Sequence, residues 1–230
     1  MKKKALFNWS GGKDSALALH HTLANQEFEI VTLLTSINKE LERISMHGVR
    51  KSMLLKQVGA IGLPLTLLEL PTGVDMQGYD ELMRKTLDPI TNQGITHSVF
   101  GDIFLEDLKR YKEERMREVG LSGYFPLWKR DTSELLKEFL DTGFKTILVS
   151  VDGSKLSKDF VGQELTLELA REFPVGVDPC GENGEFHTYV FEGPIFKEPI
   201  EFKKGEIVAK DYTLAKDSTE KVTYWFQDIF

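Results

Sequence analysis

Along this chain the spacing of apolar residues switches repeatedly between the period of a strand and that of a helix. A short apolar run, Lys4–Trp9, stops at Ser10-Gly11-Gly12, as a buried strand would. Beyond the glycines, Ala16, Leu17, Leu19, His20 and Leu23 recur at helical spacing, so a helix is predicted to begin near Asp14. Glu29–Thr35 is aliphatic and β-branched and reads as a second strand. The pattern then repeats: a helix over Val49–Ile61, a strand over Leu65–Leu70, a helix over Tyr79–Gln93, and a short strand at His97–Phe100 that ends on Gly101-Asp102. Leu105–Val119 follows as an amphipathic helix, with opposite charges four apart in Glu106/Arg110 and Glu113/Arg117. Strands alternating with helices imply an α/β fold, a parallel sheet covered on both faces. Such sheets bind ligands beyond the carboxyl ends of their strands, where Ser10, Thr35 and Gly101 fall.

Past Asp131 the rhythm changes. Helices are expected over Ser133–Leu140 and Gly162–Phe173, with a strand at Lys145–Val151 between them. After Pro174 the chain reads as β-rich. Glu185–Phe191 alternates, Glu201–Ala209 is expected to pair with it, and Tyr224-Trp225-Phe226 reads as a packed last strand. Two domains are therefore expected, residues 1–130 and a smaller α+β domain over 131–230.

The densest chemistry lies at Ser10-Gly11-Gly12-Lys13-Asp14-Ser15. A strand runs into two glycines and a helix follows at once. The first turn of a helix leaves backbone N–H groups without partners, and its positive dipole end faces the same space, which makes an anion site. Ser10 and Ser15 can add hydroxyl donors and Lys13 a positive charge, unless Lys13 points along the helix to solvent. Asp14 beside an anion either caps the helix or meets a magnesium ion held with phosphates and water. The string is not the GxxxxGK[ST] phosphate loop, since its glycines are adjacent and an aspartate follows the lysine.

A second polar concentration, Asp178-Pro179-Cys180-Gly181-Glu182-Asn183-Gly184-Glu185-Phe186-His187-Thr188, precedes a strand. Alternation places Glu185 and His187 on one face, where they either bracket one polar group or face water on a hairpin. Asp102 sits at a strand end as a site residue or a loop cap. His47 lies near a ligand or on the surface, and His20 and His21 read as structural or exposed. Cys180 would need a neighbour that lowers its pKa to act as a nucleophile, and reads instead as a small buried residue.

Composition narrows the reading. The chain has 230 residues and a formal net charge of −7, which argues against a nucleic-acid partner. No apolar run approaches the ~20 residues that span a bilayer, and the basic start at Lys2-Lys3-Lys4 lacks the long apolar stretch of a secretory signal. The single cysteine fits a reducing compartment, so a cytoplasmic location is expected. No HExxH or paired CxxC motif is present, and no structural zinc is expected.

SGGKDS closely resembles the SGGxDS signature of the ATP-pyrophosphatase (PP-loop) superfamily. Together with GENGEFHT at 181–188, SMHG at 45–48, Gly101-Asp102-Ile103 and Pro126-Leu127-Trp128, it makes the chain resemble the diphthine–ammonia ligase family. The resemblance implies a Rossmann-like (HUP-type) ATP-binding domain followed by a substrate-recognition domain. It also implies a ligase that adenylates a carboxylate acceptor, releases pyrophosphate and amidates the acceptor with ammonia, with ATP and Mg²⁺ as cofactors. On this basis Ser10, Gly11, Gly12, Lys13, Ser15, His47, Gly101 and Asp102 are expected to hold ATP. Gly181, Glu182, Asn183, Gly184, Glu185 and Thr188 are expected to meet the acceptor. Lys13, Asp14, Glu185 and His187 are the candidate catalytic groups, Glu185 or His187 as the base for ammonium, and Asp14 is the magnesium ligand. Asn183, Phe186 and His187 depart from the GEGGEYET-like string of eukaryotic members, so the acceptor, on a protein or a small molecule, is left open. A homodimer is allowed by the sequence but not required. A tRNA-modifying enzyme and a non-catalytic ATP sensor are the alternatives on the same loop.

Overall fold

A computed structural model describes residues 2–213 and 221–230. Its first sheet is built by β1 (Lys3–Asn8), β2 (Phe28–Asn38), β3 (Arg43–Ile44), β4 (Leu65–Leu70), β5 (His97–Val99) and β6 (Ser122–Tyr124). β1 runs parallel to β2 and β5, β2 parallel to β4, and β5 parallel to β6. Only the two-residue β3 is antiparallel, on the end of β2. This is the parallel α/β sheet that the alternating pattern predicts. The pattern did not signal β3 and β6, which are too short to show a period.

The buried side chains of β1 explain the layering. Ala5, Phe7 and Trp9 enter one core and Leu6 the other, the alternation expected of a strand covered on both sides. Helices α1 (Lys13–Ala24) and α2 (Lys51–Ile61) bury Leu17, Leu19, Met53 and Leu54 in the first core. Helices α3 (Met76–Thr91) and α4 (Glu106–Glu118) cover the opposite face through Leu87, Ile90 and Met116.

A smaller antiparallel sheet completes the chain. It contains β7 (Lys145–Asp152), β8 (Phe186–Glu192), β9 (Lys204–Thr213) and β10 (Lys221–Ile229), in the order β8-β7-β10-β9. α5 (Thr132–Asp141) leads into it, with Asp131 capping the helix through the Glu134 N–H. The core of this sheet is continuous with the α1/α2 layer.

Two expectations fail here. Gly162–Phe173 is not one helix: only α6 (Leu167–Arg171) is helical. Gly162 adopts φ +79°, and residues 162–165 run beside β7, with Gly162 N–H donating to Leu148 O and Leu165 N–H to Thr146 O. Backbone pairing there outweighs the helical spacing, and Thr166 starts the helix late by accepting from the Leu169 N–H. The strand expected at Glu201–Ala209 forms later, as β9, and pairs with β10 instead of with the 185–191 segment. One edge of β8 is taken by β7, and on the other Val190 meets Gly11 and Gln57.

The two sheets are pinned together by charge as well as by apolar packing. Asp228 of β10 accepts from Arg43 Nη2 at 3.0 Å and Arg50 Nε at 2.9 Å. Hydrogen bonds from Arg50 and then Arg43 hold the Asp228 carboxyl below its ordinary pKa of 3.8. Replacing it (Asp228→Ala) is expected to cost about 1 kcal/mol in urea unfolding near neutral pH, the scale of a partly exposed charge cluster. The difference between wild type and variant should persist above the unfolded pKa and vanish as pH falls through the lower folded one.

Candidate functional site

The loop after β1 takes its shape from contacts that hold both of its ends. Trp9 N–H donates to Leu34 O at 2.8 Å and Trp9 O accepts from Thr35 Oγ1 at 2.7 Å, so the strand end is fixed to β2. Gly11 then turns with φ +82°, and a Cβ there would stand 2.7 Å from Gln57 Oε1, so only glycine fits. Gln57, fully buried on α2, donates through Nε2 to Gly11 O at 2.9 Å and to Val190 O at 2.8 Å. Its Oε1 accepts from Trp9 Nε1 at 3.2 Å. Sequence reasoning missed Gln57. A polar residue on the same helical face as Met53, Leu54 and Ala60 was the available signal.

Gly12 is the N-cap of α1, and no side chain caps the helix, so the capping role considered for Asp14 is not realised. The Gly12 N–H donates to Ser10 Oγ at 3.3 Å, and Ser15 Oγ donates to Gly12 O at 2.9 Å. Among the described residues, the N–H groups of Asp14 and Ser15 have no partner. Two donors and the positive helix end thus remain for a ligand. Gly101 closes the opposite wall, where a Cβ would lie 3.0 Å from Asp14 C and Ser15 N.

The 178–188 segment comes over this loop from the second sheet. Thr188 Oγ1 accepts from the Lys13 N–H at 3.0 Å, and the Val190 N–H donates to Gly11 O at 3.0 Å. An extra residue in β7, between Leu148 and Ser150, faces Thr188 and His187. Such bulges re-aim side chains, and here both residues line a small cavity of about 150 Å³ over Gly12, Lys13 and Asp14. Glu182 and the backbone turns at Gly181 and Gly184 line it as well, while Asn183 is exposed and does not. Glu182 Oε1 accepts from the Ile103 N–H at 2.9 Å, joining the turn to the end of β5.

Glu185 does not join them. It precedes β8, is 2% exposed, and lines neither cavity at the loop. Its Oε1 accepts from Asn183 Nδ2 at 3.1 Å and the Asp178 N–H at 3.3 Å. Glu185 therefore supports the turn at 181–184 from beneath.

A second cavity of about 560 Å³ runs from Ser10, Asp14 and Ser15 past Thr35 and Gly101. Its far wall is apolar, with Met76, Tyr79, Met83, Phe100 and Met116. His47 and His187 line both cavities, with their rings stacked at 4.5 Å. Burial draws His47 down to about 4 against its contact with Thr188 O, and the charge of Lys13 adds to the shift. Burial, His47 and Lys13 together hold His187 well below its usual value. Both imidazoles are therefore neutral at physiological pH.

The nearby charges are already paired. Lys13 Nζ reaches both oxygens of Asp14, at 2.8 and 2.7 Å, and Cys180 O. Burial opposes its charge, but Asp14 and then Glu182 outweigh it and hold Lys13 above its ordinary pKa. Lys13 does not run out to solvent: it is 3% exposed. Lys112 Nζ meets both oxygens of Asp102 at 2.7 and 2.8 Å. Burial pushes Glu182 up to about 7, with the negative charge of Asp14 adding to it and the Ile103 N–H opposing. Cys180 is buried, its Sγ donates to Thr132 O at 3.2 Å, and burial raises the thiol far above its ordinary value, which leaves no thiolate nucleophile. His20 packs edge-on against Phe144 and His21 pairs with Glu138, both away from the loop.

The architecture is that of a parallel α/β protein whose glycine loop opens a helix N-terminus at the carboxyl edge of the sheet, roofed by a strand from a second sheet. The model of the diphthamide synthase N-terminal domain matches residues 1–123, and that of the C-terminal domain residues 131–220. The zebrafish (Danio rerio) diphthine–ammonia ligase is 33% identical over 226 residues, covering 86% of this chain and 86% of that protein. The mouse (Mus musculus) enzyme is 31% identical over 229 residues, covering 86% and 82%. The chain belongs to the diphthine–ammonia ligase family. It spans only 36% of the Schizosaccharomyces pombe relative and 56% of the Bos taurus one.

The histidine pair has a consequence for stability. Unfolded, each imidazole takes a proton near pH 6.5, whereas folded His47 stays neutral to about 4. The unfolded state thus binds more protons between these values, and stability should fall as pH drops through that window. Urea unfolding near neutrality and at about pH 5 should show a smaller acid loss in His47→Asn than in wild type. An equal loss would mean that the ring is solvated in the folded protein.

Proposed function

We propose that the chain is an ATP-dependent amide-forming ligase that cleaves ATP to AMP and pyrophosphate. The observation that carries this is the pair of unpartnered N–H groups at Asp14 and Ser15, at the start of α1 and beside the glycine turn. Family membership supports it, since the relatives are named diphthine–ammonia ligases. In this reading the Ser10–Ser15 loop holds the leaving pyrophosphate with backbone dipoles fixed before the reaction, which costs no reorganisation as charge develops. Lys13, on both oxygens of Asp14, offsets that carboxylate's charge beside the loop. The larger cavity takes the adenosine along its apolar wall, with Gly101 and Asp102 at its polar end.

The smaller cavity then takes the acceptor carboxylate, with Gly181, Glu182, Gly184 and Thr188 around it. A carboxylate oxygen attacks the α-phosphorus and the bond to the β-phosphate oxygen breaks. Ammonia next attacks the acyl carbon, and AMP leaves with the electrons of the C–O bond. Neutral His187, backed by His47, accepts a proton given up by nitrogen and passes it to solvent. Magnesium enters this reading as the counter-ion that ATP carries. Asp14 has both oxygens on Lys13, so the chain offers the ion no free carboxylate there, and no step is assigned to it. The carboxylate of diphthine, from the relatives' names, is the first acceptor to try.

Incubation with labelled ATP, ammonium and a diphthine-bearing protein should release AMP and pyrophosphate, and chromatography of the nucleotides distinguishes this from ADP and phosphate. Gly12→Ala, whose Cβ would stand 3.0 Å from His47 Cε1, should lower pyrophosphate release at least ~100-fold. Formation of ADP, or unchanged turnover in that variant, would refute the assignment. Because Glu182 gains its negative charge near pH 7, pyrophosphate affinity should weaken as pH rises through 7 and Glu182→Gln should flatten that profile, as calorimetry can show.

A further inference from the structure

Behind His187, the second sheet buries acidic groups whose charge no lysine or arginine among the described residues meets. Glu185 is 2% exposed and Asp152 5% exposed. The Asp152 N–H donates to Glu185 O at 2.8 Å, so the two stand opposite each other on neighbouring strands. Among the described residues neither carboxylate forms a salt bridge. Asp152 Oδ1 accepts from Ser154, and its Oδ2 has only the Tyr224 hydroxyl at 3.5 Å. Glu185 Oε2 is buried with no hydrogen-bond partner among the described residues. The same holds for the hydroxyl of Ser150, which is fully buried and paired in register with His187. Residues 150 and 152 on β7, and 185 and 187 beside them, share one face of the sheet, because side chains two apart point the same way. Tyr224 lies opposite Asp152 on that face. Burial and then the charges of Asp152 and Glu185 hold its hydroxyl above the ordinary tyrosine value.

Buried carboxylates are kept only when paired or neutralised, and an unpartnered buried polar atom calls for a water or an ion. Two acids and an orphaned hydroxyl, all acceptors, match a small cation with several N–H donors. We propose that Glu185, Asp152 and Ser150 form a binding site for an ammonium ion, one residue behind the imidazole of His187. The purpose of such a site rests on the ligase reading: it would hold the nitrogen donor beside the base that deprotonates it. Its existence does not depend on that reading.

Binding is tested on the whole chain without ATP or acceptor. Thermal unfolding in ammonium chloride, compared with sodium, potassium and tetramethylammonium chloride at equal ionic strength, should show a saturable rise of about 3 °C specific to ammonium. Glu185→Gln and, as a milder change, Ser150→Ala should each abolish the rise while leaving a cooperative transition. Crystals soaked in thallium(I), an ammonium-sized ion, should show anomalous density between residues 150, 152 and 185. A rise that Ser150→Ala leaves intact, a potassium effect as large as that of ammonium, or density for water only would overturn the proposal. Loss of pyrophosphate release alone would leave it standing.

Discussion

The site depends on the backbone of one sheet being clamped by a strand of the other. Val190 N–H to Gly11 O and Lys13 N–H to Thr188 Oγ1 are the two ends of that clamp, and Gln57 ties Gly11 O to Val190 O from below. A buried amide that lost either carbonyl would leave polar groups unsatisfied at about 1–3 kcal/mol each. The glycine turn is therefore rigid before any ligand arrives. The same strand that clamps the loop supplies His187, so the glycine turn and the imidazole pair are positioned by one element.

That coupling also sets the electrostatics. Two acids at the loop carry their own lysines, Asp14 with Lys13 and Asp102 with Lys112. Their charges largely cancel, and what remains for an incoming anion is the field of the helix end and its free N–H groups. A chain with a net charge of −7 can thus keep a local surplus of N–H donors. Burial under the second sheet does the opposite to the imidazoles, since a charged ring would lose its hydration. It holds His47 and His187 below the ordinary imidazole pKa.

Several features of this arrangement could be read from residue patterns. The strand–Gly-Gly–helix junction at Ser10–Ser15 was visible because a turn and the first turn of a helix are local, and their donors follow from backbone geometry alone. Ser10, Thr35 and Gly101 were expected at one edge because parallel strands align their carboxyl ends, and all three line the larger cavity. Glu185 was misjudged for an equally physical reason. Alternation gives the face that Glu185 shares with His187, but not its reach: one carboxylate oxygen is bonded to Asn183 and Asp178, and the residue lines neither cavity at the loop. Gln57 stayed hidden because a single polar residue on an apolar helical face does not say what it bonds to.

The order and kind of most elements, the parallel sheet and the strand–glycine–helix loop were determined by the sequence alone. They rest on hydrophobic period, glycine conformation and capping, which act over a few residues. Tertiary structure decided that Thr188 would meet Lys13 across 175 residues, that β9 would pair with β10, and that residues 162–165 would run along β7 and not continue a helix. Those outcomes follow from which backbone edges remain open when the sheets assemble, and from which charges lose water there. Neither is a property of any short stretch of chain.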